Sequence, residues 1–269
     1  MRFFSVESLT VSMSPFLQTA LEAAKAGQAV IEKYYNGHFD VQIKADQSPV
    51  TIADIETEQT IKDIILKAFP DHGFFGEESG KTNPDAEYTW LIDPIDGTKS
   101  FVRRYPFFST QIALLHKNEL ILGVSNAPTF GSGQLAYAET GQGAYLNGER
   151  IQVSGYTDIQ SAAISTGNIK TLTLHPKRWD ALGHLIQQAQ RIRGYGDFYH
   201  YHLLASGKID LVIESDVNIL DIAALAVIVR EAGGVFTDLE GKALTLNTTG
   251  VLAAASPALH HYALTTLNP

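Results

Sequence analysis

YTWLIDPIDGTKSF, residues 88–101, decides how the rest of the chain is read. Its first five residues, Tyr88 to Ile92, form a short apolar run rich in aromatic and β-branched side chains, which predicts a buried strand stopping at Ile92. Asp93 and Asp96 then bracket Pro94 and Ile95, with Gly97 and Thr98 following, so two carboxylates fall within one tight turn at a strand end. Oxygen clusters of this kind suit hard cations. Pro94 fixes its φ and lacks an N–H, which stiffens the turn, whereas Gly97 lets the backbone approach a ligand closely.

Other readings compete for this stretch. Asp-Pro and Asp-Gly pairs in isolation most often make solvated turns. An EF-hand is excluded, because the third and fifth positions counted from Asp93 are Ile95 and Gly97, neither of which offers a side-chain oxygen. A phosphatase forming a covalent aspartyl intermediate would place its two Asp residues two apart, and here the spacing is three. Acidic groups elsewhere favour the cation site. GEESG (76–80) follows the apolar pair Phe74 and Phe75 and reads as another strand end delivering carboxylates. Asp221 opens the helical run DIAALAVIVREAGG (221–234), and a helix N-cap is the plain alternative for it.

With Glu77, Asp93, Asp96 and Asp221 in view, the chain resembles the inositol monophosphatase family of Mg²⁺-dependent phosphomonoesterases. The matching motifs are PVTIAD (49–54), GEESG (76–80), WLIDPIDGTKSF (90–101) and LDIAALAVIVREAGG (220–234), in family order and over most of the chain. The resemblance implies an α+β fold stacked in αβαβα layers, two or three Mg²⁺ ions per active site, and a water nucleophile. It implies that Glu77, Asp93 and the Ile95 carbonyl hold one ion and that Asp93, Asp96 and Asp221 hold another, with Asp93 bridging. Asp54 and Thr98 would orient the water, with Glu77 also in a catalytic role. The amides of Gly97 and Thr98, at a helix start, would receive the phosphate, in keeping with the anion affinity of helix N-termini. Glu78 is read as solvated or one step removed from the ions.

The leaving group is read from RGYGDFYHYHLLASGKIDLVIESDVNILD (193–221). Inositol phosphatases of the family commonly follow the glycine with a small residue, whereas histidinol-phosphate phosphatases resemble this chain in having Gly-Asp before an aromatic, here Gly196, Asp197 and Phe198. GTKSF in place of GTTNF leans the same way, and Leu220 stands where inositol phosphatases usually have Trp. Histidinol carries an ammonium group, which a carboxylate from Asp197, helped by Glu214, would pair with. The structural alternative for Asp197 is again an N-cap. Histidinol phosphate is therefore the leading substrate and inositol monophosphate the second. A reading of another class is a catalytically idle relative that binds a phosphorylated ligand.

The chain has 269 residues, 45 % of them hydrophobic, and no low-complexity linker, which predicts one catalytic unit with a large core over 1–269. Residues 1–12 lack a clear period and are expected to form a disordered extension, with Met13 an alternative start. There is no Cys, so disulfides and thiolate zinc sites are out. Neither a bilayer-spanning run nor a basic leader is evident, and a soluble cytoplasmic protein is expected. The net charge of −9, with no basic cluster longer than Arg103 and Arg104, argues against nucleic acid. The partner expected instead is a small phosphorylated metabolite, and the resemblance adds a homodimer. His200 and His202, like His260 and His261, lack the spacing of a zinc site.

Helices are expected from Ser14 and Pro15 onward and from Asp54 onward, the latter carrying Glu58→Lys62 and Asp63→Lys67 pairs on its outer face. Residues 107–116 and 119–127 read as a hairpin, and the glycines from Gly131 to Gly148 as turns between strands.

Overall fold

The structure, a computed structural model, describes residues 13–37, 39, 41–43 and 49–269. The expected extension over residues 1–12 lies outside these. Helix α1 (Pro15–Tyr35) starts as expected, with Ser14 Oγ accepting the Leu17 N–H. Strands β1 (Val41–Ile43) and β2 (Pro49–Thr51) pair antiparallel, and α2 (Ile52–Ala68) follows. Next come β3 (Gly73–Gly76), β4 (Gly80–Thr82), β5 (Tyr88–Asp96), the short helix α3 (Thr98–Val102), β6 (Ser109–His116), β7 (Glu119–Ala127), β8 (Gln134–Glu139), β9 (Gly143–Leu146) and β10 (Glu149–Ile151). The remaining elements are β11 (Ala163–Thr166), α4 (Pro176–Gln188), β12 (Arg191–Arg193), α5 (Asp197–Ala205), β13 (Leu211–Ser215), α6 (Ile219–Glu231), β14 (Val235–Asp238), β15 (Gly250–Ala254) and α7 (Pro257–Leu267).

The strands make an eight-stranded sheet in the order β10-β9-β8-β7-β6-β5-β3-β4 and a five-stranded sheet in the order β12-β11-β13-β15-β14. Side-chain alternation along the strands sets what covers each face. Trp90, Ile92, Ile112 and Leu114 of the larger sheet pack against Leu17, Ala20, Ile61 and Ile65 of α1 and α2. On its opposite face, Leu91 and Ala113 meet the apolar helix α6 and its neighbour α5. The same central helices are covered from the other side by Val212, Val251 and Ala253 of the smaller sheet. Leu211, Ile213, Leu252 and Ala254 point outward from that sheet onto α4 and α7. Five layers result, in the order αβαβα, the α+β architecture that the resemblance implied. No helix among the described residues is long and apolar enough to cross a membrane.

Several local expectations are revised. Strand β5 does not stop at Ile92 but runs to Asp96 through a β-bulge. Asp93 pairs with Gln111 and Asp96 with Ser109, so three steps on β5 oppose two on β6. Pro94 has no ladder N–H to lose, and its carbonyl accepts Thr110 Oγ1 at 2.9 Å. The Glu58→Lys62 surface pair does not form. Glu58 is buried and its carboxylate accepts the N–H groups of Glu78 and Ser79, each at 2.7 Å, while Lys62 lies over the Phe74 ring. Two backbone N–H groups in a tight turn hold a carboxylate better than one exposed ammonium does.

Candidate active site

The acidic groups converge at the end of β5. A regular strand would send residues three apart to opposite faces, and the bulge's extra residue restores Asp93 and Asp96 to one side. β3 runs parallel to β5 with Gly76 opposite Ile92, and the Glu77 N–H bonds to the Ile92 carbonyl, so Glu77 comes up beside Asp93. Helix α6 delivers Asp221 from its first turn. Asp221 is not the N-cap: Asn218 caps, its Oδ1 accepting the Leu220 N–H, and Asp221 closes the capping box by accepting the Asn218 N–H at 2.9 Å. Oxygens of Asp93, Asp96 and Asp221 lie within 4.8 Å of one another.

Asp54 enters the same region from α2. It too sits in a capping box, with Thr51 as the cap. Its Oδ2 accepts from Thr51 N at 2.7 Å and Thr51 Oγ1 at 2.6 Å, while its Oδ1 faces Thr98 Oγ1 at 3.1 Å. Thr98 Oγ1 also lies 3.1 Å from the Ile95 carbonyl oxygen. Gly97 precedes α3 with φ at +93°, and a Cβ there would stand 2.8 Å from the Phe107 carbonyl oxygen, so both backbone conformation and space call for glycine.

Burial and mutual repulsion dominate the electrostatics of this cluster. Burial, then Glu77, Asp96 and Asp221, hold the Asp93 carboxyl well above its ordinary range. For Asp96 burial again leads, followed by Asp197, Asp221, Glu214 and Glu77. Asp221 is pushed up to about 7, mainly by burial, against the opposing Asn218 N–H. Asp54 is raised chiefly by burial, against its bonds from Thr51 and Thr98. A divalent cation reverses this repulsion, and an all-oxygen donor set is what Mg²⁺ or Ca²⁺ takes. The residues present thus fit a hard cation.

A second acidic pair flanks the first cluster. Asp197 is not an N-cap but the first residue of α5, behind Gly196, and holds φ at +44°. Its carboxyl is pushed to about 6 by burial and by Glu214, with His200 opposing. Glu214 projects from β13, buried, and accepts from His200 Nε2 at 3.1 Å, Tyr201 Oη at 2.7 Å and Asn168 N at 3.0 Å. Burial alone would raise it, but those donors more than offset this and hold it below its usual range. Sequence reasoning missed Thr51, Glu58, Tyr201, Asn168 and the role of His200. Only Thr51 carried a signal, since Thr followed three residues on by Asp is a capping pattern.

This fold and this buried acidic centre are those of a metal-dependent phosphoryl-transfer enzyme. The inositol monophosphatase family profile matches residues 12–268, and the chain belongs to that family. It is a phosphomonoesterase. A histidinol-phosphatase of Chlorobaculum parvum is 37 % identical over 243 residues, covering 90 % of this chain and 93 % of the relative. Among solved structures, the extragenic suppressor protein suhB of Bartonella henselae is 30 % identical with a TM-score of 0.84, over 94 % of this chain and 98 % of that one. An inositol monophosphatase from Anabaena is 30 % identical with a TM-score of 0.80, over 94 % and 95 % respectively.

Proposed function

We propose that the protein is a Mg²⁺-dependent histidinol-phosphate phosphatase, converting L-histidinol phosphate to L-histidinol in histidine biosynthesis. In this reading Glu77, Asp93 and the Ile95 carbonyl hold one Mg²⁺ and Asp93, Asp96 and Asp221 another, with two or three ions in all. Bound there, the ions would supply charge neutralisation of the phosphoryl oxygens and the leaving alkoxide and would make water a better nucleophile. The chain's own part is positioning. Asp54, pinned on one oxygen by Thr51, uses the other with Thr98 to orient the attacking water. The amides of Gly97 and Thr98 receive the phosphate, and the water's oxygen replaces the ester oxygen at phosphorus in line.

The observation that carries the substrate reading is the second acidic pair. Asp197 and Glu214 add negative charge beside carboxylates that a metal would already use, and Asp197 is the largest charged influence on Asp96. A neutral polyol gains little from such a pair, whereas an ammonium-bearing alcohol gains a charge-assisted contact. The likeness to a histidinol-phosphatase supports the same choice. Inositol 1-phosphate is the second reading, favoured by the likeness to the Anabaena inositol monophosphatase. The proposal also takes the chain as one catalytic unit, cytoplasmic and homodimeric, on the family resemblance.

Asp197→Ala tests the pairing. It should lower kcat/KM for histidinol phosphate by about 10-fold or more, on the order of 1.4 kcal/mol, while leaving an uncharged phosphomonoester nearly unaffected. Equal losses on both esters would reduce Asp197 to a structural residue.

A further inference from the structure

Glu214 is held by a relay that runs away from the active site. His200 Nε2 is 3.1 Å from its Oε2, and on the far side of the ring His200 Nδ1 is 3.3 Å from Ser165 Oγ. Ser165 Oγ also accepts the Tyr195 N–H at 3.2 Å. The backbone amide can only donate and takes one lone pair of the Ser165 hydroxyl, which leaves that hydroxyl able to meet His200 Nδ1 as well. An ionised carboxylate can only accept, so Nε2 of His200 carries a proton directed at Glu214. Amide, hydroxyl, imidazole and carboxylate thus form one hydrogen-bonded line that ends on the Glu214 carboxylate. Ser165 and His200 are fully buried and Glu214 nearly so, and no water is needed to complete the line.

Gly167 closes the cradle. A Cβ at this position would stand 1.7 Å from Glu214 Oε1 and 3.0 Å from His200 Cε1. Asn168, the next residue, donates its N–H to the same Oε1. With Tyr201 Oη on Oε2, three of the roughly four acceptor positions of the carboxylate are filled. Glu214 is therefore fixed in place and in charge, beside Asp197.

We infer that His200 is a positioning residue for substrate selection, which orients Glu214 through Nε2 so that this carboxylate meets the cationic end of the leaving group. The inference rests on the reading of Asp197 and Glu214 as contacts to that cation. His200 acts only through Glu214 and touches no reacting atom.

The test is a double-mutant cycle of His200→Leu and Glu214→Gln, with His200→Gln as the conservative variant. kcat and KM are measured on histidinol phosphate and on p-nitrophenyl phosphate, which has no ammonium group. His200→Leu should lower kcat/KM for histidinol phosphate by about 10-fold or more, chiefly through KM, as expected for loss of a hydrogen bond to a charged group. p-Nitrophenyl phosphate should change by less than about two-fold, because a uniform structural defect would affect both esters. His200→Gln, which offers an N–H near the Nε2 position, should recover most of the loss. The double variant should lose no more than Glu214→Gln alone, because residues acting as one unit are not additive. Equal losses on both esters, no recovery with Gln, or multiplying losses would each overturn the inference.

Should the unaltered enzyme show no preference for histidinol phosphate, the substrate reading fails, and the cycle is run on the ester it hydrolyses fastest. Non-additive loss there still upholds His200 as the residue that positions Glu214, and additive loss overturns it. If His200→Leu does not fold, Gly167→Ala takes its place. That variant displaces Glu214 from His200 and should match Glu214→Gln, and activity equal to that of the unaltered enzyme would contradict the relay.

Discussion

Asp96 is surrounded by groups that disfavour its charge: burial first, then Asp197, Asp221, Glu214 and Glu77. Asp96→Asn should therefore act in opposite directions with and without metal. In Mg²⁺ its kcat should fall at least about 100-fold, since even outer partners of metal ligands are worth 10–100-fold. In EDTA its Tm should rise, because one repelling carboxylate is gone; unchanged turnover would remove Asp96 from the site. His202 carries a pH prediction. It is buried, with Nδ1 2.8 Å from Gln134 Oε1 and Nε2 2.9 Å from Ser125 Oγ, and burial lowers it from 6.5 to about 3. The unfolded chain takes up a proton near pH 6.5 that the folded chain refuses until about pH 3. Stability from this group is present above pH 6.5 and declines as pH drops toward 3. Between pH 7.5 and 5.5 it should fall by about 1.4 kcal/mol, and denaturant melts of His202→Asn should lack that increment. At this scale the motif carboxylates were legible because each follows a strand or opens a helix in a recognisable pattern. The partnership of His200 and Glu214 was not, since it joins a helix to a strand across 14 positions with no period to mark it.

At the scale of elements, the bulge in β5 and the seat of α6 place the carboxylates. Pro94 between two Asp residues signalled a disturbed strand, but a turn and a bulge look alike in sequence, because which one forms depends on the partner strand. Here Gln111 and Ser109 of β6 decide it. The three-residue spacing of Asp93 and Asp96 suits one shared face once a single bulge is present. Helix α6 packs against β7 at Gly123, where a Cβ would stand 2.2 Å from the Ala224 carbonyl oxygen. Gly123→Ala should cost about 1–3 kcal/mol of stability, as overpacking does, and should weaken Mg²⁺ binding because α6 carries Asp221. Denaturant titration and calorimetry check the two effects. Unchanged stability would mean that α6 is not seated there.

For the whole molecule, the alternation of strands and helices specified mixed α and β, the family resemblance implied the αβαβα order, and the assignment of side chains to faces bears that order out. Leu91 and Trp90, adjacent in sequence, belong to different cores on the two faces of one sheet. Such two-sided burial hides the period of a strand, since both faces are apolar. The measurement that bears most directly on the account is phosphate release from histidinol phosphate and inositol 1-phosphate, side by side at equal concentrations, in Mg²⁺ and after EDTA. The account predicts activity abolished by EDTA and a kcat/KM preference for histidinol phosphate of about 100-fold, on the order of 2.7 kcal/mol in transition-state binding. Faster hydrolysis of inositol 1-phosphate would contradict the assigned substrate, and turnover that survives EDTA would contradict the metal site itself.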